Sequence, residues 1–118
     1  PEGGQFALWI PGGKLSDGSW AYVQVDSRQR LMVRRWVTDD AVVAEAKRSW
    51  RDEALRHARS VGVPMRPPDR LGHGRTVALA LHEATWPVAG PDGVVNVEAS
   101  IERIRACDAV VRAMAGGA

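Results

Sequence analysis

Apolar residues recur along this chain in two rhythms. From Trp20 to Val25 the period is two, with Ala21, Val23 and Val25 on one side and Trp20, Tyr22 and Gln24 on the other, as a strand requires. Leu31 to Val37 repeats it, with Leu31, Val33 and Val37 on one face and Met32, Arg34 and Trp36 opposite. A short loop around Ser27, Arg28 and Gln29 joins the two. If Asp26 opposes Arg30, then Val23 meets Val33, Tyr22 meets Arg34 and Trp20 meets Trp36, and neither face is broken. Ahead of this hairpin, Phe6 to Ile10 reads as a strand stopped by Pro11, Gly12 and Gly13.

The rhythm then changes to that of a helix. Val43, Ala46, Trp50, Ala54, His57, Ala58 and Val61 fall within one arc of about 120° on a helical wheel, and charged residues fill the rest. Thr38, Asp39 and Asp40 supply caps at its start, and Gly62 supplies the stop. Residues 63–75, rich in Pro, Gly and Arg, read as a loop. Val77 to Trp86 alternates as a strand does, although its Ala and Leu residues also suit a helix. Val94 to Val97 suggests a short last strand. Ile101, Ile104, Cys107, Val111 and Met114 mark a C-terminal helix that Gly116 and Gly117 end. The order β-β-β-α-β-(β)-α predicts an α+β fold: a mainly antiparallel sheet of four or five strands with two helices on one face.

Length and composition fit a single domain over 1–118, with a flexible tail at 1–4. A hydrophobic share of 45% and a charged share of 25% argue against disorder. One cysteine, Cys107, allows no intramolecular disulfide, which suits a reducing compartment and a cytoplasmic location. No apolar run is long enough to cross a bilayer, so no membrane partner is expected. The chain opens on Pro1 without a methionine, which implies processing or a longer parent chain.

Net charge is only +2, and the preference for arginine over lysine, with abundant Ala, Val and Gly, is what a GC-rich bacterial genome would encode. Distribution says more. Between Arg28 and Arg75 there are twelve basic and six acidic residues, while each flank carries −2. That asymmetry points to an anionic partner.

The chemistry gathers on the second face of the hairpin. Trp20, Tyr22, Arg34 and Trp36 would stand side by side, and aromatics interleaved with arginine are how proteins stack exposed bases. Arg28, Arg30, Arg35, Lys47, Arg48 and Arg51 would meet phosphates. Three strands followed by a helix resemble, in element order alone, the small sheet-plus-helix DNA-binding domains that open some phage-type recombinases. Here the chain runs on for another fifty residues or so.

A second constellation is the run from Arg66 to Arg75, where Arg70, Gly72, His73, Gly74 and Arg75 form a possible phosphate loop. It resembles the pyrophosphate loop of acyl-CoA N-acetyltransferases, which implies a helix directly after it. Asp69 stands in that loop's first position and Arg70 is one residue too close.

His57, His73, His82 and Cys107 lack ligand spacing, and His82-Glu83 begins a zinc-protease signature whose second histidine is replaced by Trp86. No metal or cofactor is expected. Cys107, on the apolar stripe of its helix, reads as an inert core thiol. The reading is therefore a non-catalytic module that binds nucleic acid through the Trp/Tyr/Arg face. The alternative is a protein partner or a second copy of the chain on the same face, and the third is a small enzyme holding a phosphorylated or CoA-type ligand at residues 66–75.

Overall fold

A computed structural model describes residues 7–26, 28–37, 44–69 and 76–116. Five strands, β1 (Ala7–Lys14), β2 (Trp20–Asp26), β3 (Leu31–Trp36), β4 (Met65–Arg66) and β5 (Thr76–His82), form one sheet in the order β1-β2-β3-β5-β4. Every neighbouring pair is antiparallel. The helices α1 (Ala44–Ser60) and α2 (Val97–Met114) both pack on the same face. The α+β class is as the pattern predicts.

The hairpin register is the expected one, with Trp20 opposite Trp36, Tyr22 opposite Arg34 and Val23 opposite Val33. Asp26 closes its end. The Asp26 carboxylate accepts the backbone N–H of Arg28 and Arg30 at 3.0 Å each, and its own N–H donates to the Arg30 carbonyl at 3.1 Å. Gln29 turns the chain there with a φ of 63°.

Ala21, Val23, Val25, Leu31, Val33, Val77 and Leu79 supply the sheet's half of the core; Ala54, Ala58, Cys107, Val110 and Val111 supply the helices' half. α2 lies over β1, β2 and β3, and α1 over β5 and β4. Gly12 permits the approach of α2. A Cβ at that position would collide with the Ala21 carbonyl oxygen and the Val111 side chain, and the β1 register slips by one residue there.

Several expectations change. The strand expected at Val94–Val97 is a single bridge from Ala89 to Val95, because Asn96 caps α2 by accepting the Ala99 N–H at 3.0 Å. The extra strand is instead β4, inside the segment read as a loop. Ile101 is 43% exposed, since the first turn of α2 turns Ser100 inward. The Ser100 hydroxyl accepts the Val88 N–H at 2.8 Å, and the Ser100 carbonyl accepts the Trp86 indole N–H at 2.9 Å. Gly62, with φ of 77°, follows α1 as expected. The tail at 1–4, the caps Thr38, Asp39 and Asp40, and Val43 lie outside the described residues.

Candidate nucleic-acid interface

Because both helices take one face, the other is covered by no element among the described residues. Alternation along β2 and β3 sends Trp20, Tyr22, Arg34 and Trp36 to this open face. Trp20 and Trp36, directly opposed across the hairpin, are 43% and 40% exposed. Isolated surface apolar residues are ordinary, but two adjoining half-exposed indoles form a platform.

Toward the hairpin turn the same face dips into a depression of about 520 Å³. Met32 and Leu81, paired across β3 and β5 and nearly buried, form its floor with Ala78. Arg28, Arg30, Arg34, Pro68 and Asp69 form its walls. The three arginines differ in state. Arg30 is bound to Asp26, with Nε and Nη2 each 2.7 Å from Oδ2. Partial burial would raise the Asp26 carboxyl, but hydrogen bonds from the Arg30 side chain and from the Arg30 and Arg28 backbone outweigh it and hold it below the usual range. Arg34 has no carboxylate partner among the described residues. Its Nη1 lies 3.6 Å from the Met32 sulfur, and its Nε is enclosed without any hydrogen bond. Leaving a buried donor unpaired costs roughly 1–3 kcal/mol, more for a charged group.

Four of the expected phosphate contacts stand away from this face. Arg35 points to the helix face and is 5% exposed, since alternation along β3 sends it opposite to Arg34. Its Nε donates to the Ser19 hydroxyl at 2.9 Å, its Nη2 meets Asp17 Oδ2 at 2.6 Å, and the guanidinium lies 3.8 Å over the Trp50 ring. Burial alone would raise the Asp17 carboxyl; the hydrogen bonds from Ser19 and Arg35 prevail and lower it. Lys47, expected on the solvated side of its helix, is 8% exposed. Arg48 is exposed, and Arg51 pairs with Asp52 at 3.3 Å, but both stand on α1, in the layer across the sheet from the tryptophans. The structure thus brings Arg28, Arg30 and Arg34 to the aromatic face and separates Arg35, Lys47, Arg48 and Arg51 from it.

Of the possible phosphate loop, Arg70, Gly72, His73, Gly74 and Arg75 lie outside the described residues. The helix that the acetyltransferase resemblance implies after it is the strand β5, which removes the support for that resemblance. Burial, and next the Arg103 guanidinium, push His82 below its usual range, and its Nδ1 accepts the Ala84 N–H at 3.0 Å. Burial pushes the Cys107 thiol up to about 12.

The depression's floor was missed by sequence reasoning because it needs the β3–β5 register, and no local pattern announces a two-residue strand such as β4. Arg35 had a usable signal: its alternation with Arg34 already placed it on the inward face, where an arginine needs a carboxylate. No protein-family model, curated protein or solved structure matches the chain. The resemblance to recombinase DNA-binding domains therefore stays one of element order.

Proposed function

We propose that this domain is a non-catalytic module that binds nucleic acid on the open face of its sheet. The observation that carries the reading is the exposed Trp20–Trp36 pair, set on the face that no helix covers among the described residues and on the same face as the arginines of the depression. Trp20 and Trp36 offer ring faces for bases, where each stacked base contributes about 1–3 kcal/mol. Arg28, Arg30 and Arg34 meet phosphates, which position the strand and make affinity depend on salt.

The test is intrinsic tryptophan fluorescence during titration with mixed-sequence DNA at about 50 mM and then about 200 mM salt, a range over which several phosphate contacts lose orders of magnitude in affinity. Saturable quenching at low salt that collapses at high salt, and that Trp20→Phe with Trp36→Phe removes, is the expected result. An unchanged spectrum at both salts overturns the reading. A protein partner or a second copy on the same face then takes its place, since Trp and Arg also dominate interface hot spots. Growth of molecular mass with concentration would identify self-association.

A further inference from the structure

The geometry points to the depression beside Arg34 as a phosphate subsite for an unpaired strand whose bases lie on Trp20 and Trp36. This deepens the nucleic-acid reading and rests on it for the source of the phosphate.

The first step concerns which form of nucleic acid fits. A two-stranded ribbon reads duplex DNA by entering a major groove about 12 Å wide. Here β2 and β3 are the inner strands of the sheet. β1 flanks β2 over its whole length, and β5 flanks β3 from Met32 to Trp36. Four strands at about 4.8 Å spacing, with side chains at each border, are too broad for that groove. Bases inside a duplex present only edges, whereas stacking on the two half-exposed indoles needs an unpaired base. An unpaired strand satisfies both conditions.

The second step concerns the phosphate. Arg30 is held by Asp26, which fixes the turn end of the depression, while Arg28 and Arg34 carry no ion pair among the described residues. The enclosed Nε of Arg34 lacks an acceptor, and it sits above an apolar floor of Met32 and Leu81. The Nε is shut off from solvent, so a phosphate oxygen is met by the outer guanidinium nitrogens that Arg34 turns to the depression, and Arg28 closes on a second oxygen, in the charge-assisted geometry that guanidinium and phosphate favour. Asp69 also lines the depression and opposes an anion there, so the arginine charge must outweigh it. From Trp36 to Arg30 the strand runs some 20 Å at about 3.3 Å per residue, a span of about six stacked nucleotides at about 3.4 Å each.

The experiment uses the full chain, a fluorescent ten-nucleotide oligo-dT, a duplex of equal length, and inorganic pyrophosphate as a probe free of bases. The variants are Arg34→Met, Arg28→Gln and Trp36→Ala, each checked for native circular dichroism. Three results are expected: the single strand binds at least about tenfold tighter than the duplex, Arg34→Met weakens it about tenfold, and that variant lowers the slope of log affinity on log salt by about one. Pyrophosphate raises the melting temperature of the parent protein and of Trp36→Ala, but not of Arg34→Met. If Arg34→Met holds the oligonucleotide as the parent does while Trp36→Ala loses it, the subsite is wrong and the nucleic-acid face stands. If no oligonucleotide binds but pyrophosphate stabilises in an Arg34-dependent way, the subsite stands and the nucleic-acid reading falls. Tighter binding of the duplex overturns the single-strand assignment. Should Arg34→Met fail to fold, Arg28→Gln carries the same comparison.

Discussion

Arg34 and Arg35 are consecutive residues of one strand, yet the two faces they serve have opposite accounts of charge. On the helix side, Arg35 is buried and every neighbour answers it: Ser19 and Asp17 take its hydrogens, and Trp50 lies beneath its plane. On the open side, Arg34 has a sulfur contact and an enclosed nitrogen without a partner. The tryptophans divide likewise, Trp50 packed against the core and Trp20 with Trp36 left half in solvent. The comparison teaches that residue type alone does not mark a binding surface. What separates the two arginines is how far the fold meets their hydrogen bonds: closely for Arg35, incompletely for Arg34.

The largest effect should separate the faces by stability. Leu79→Ala, on the covered face, should lower stability by about 3 kcal/mol, and Trp36→Ala, on the open face, by about 1 kcal/mol through its cross-strand partner. Urea unfolding midpoints compare the two, and equal losses would show the tryptophan face to be core. The next effect contrasts the arginines. Arg35→Ala should cost about 2 kcal/mol, the value of hydrogen bonds to a charged group, whereas Arg34→Ala, which removes the unpaired enclosed donor, should cost nothing or stabilise by about 1 kcal/mol.

A smaller effect is set by pH. His82 is pushed below its usual 6.5, so its neutral form stabilises the fold at higher pH, and stability falls as pH drops from about that value through the lower folded one. Asp17 is also lowered, so its contribution is intact above the ordinary carboxylate range and is lost as acid protonates it. Thermal melts between pH 7.5 and 3.5 should show two separate declines: His82→Gln should remove the first, and Arg35→Ala should weaken the second. The smallest expected effect is none at all. Cys107, fully buried with its thiol raised to about 12, should resist a thiol-disulfide reagent at pH 8 until urea unfolds the chain.

Much of the frame was legible because period-two alternation is a strong signal wherever one face is buried. It carried the β2–β3 register residue for residue, and with it the placement of Trp20, Tyr22, Arg34 and Trp36. Helix spacing served Ala54, Ala58, Cys107 and Val111 equally well. It failed at Ile101, where a polar Ser100 anchors a loop and displaces the apolar stripe. Long-range geometry was not legible. The depression needs β5 beside β3 and Pro68 carried alongside by β4, and none of these neighbours is close in sequence. Arg48 and Arg51 were grouped with the aromatics because charge sums along a chain ignore which layer each residue occupies.

The sheet's two borders have a consequence of their own. β4, the strand at one border, has only two residues, and at the other the ladder of β1 is interrupted by its slip at Gly12 beside Pro11, which has no N–H to donate. Short, kinked or proline-bearing borders are poor templates for strand addition. Neither a peptide zippered onto the sheet nor edge-to-edge stacking of copies is favoured by such borders. That also protects a valine-rich sheet from polymerising through its own backbone at high concentration.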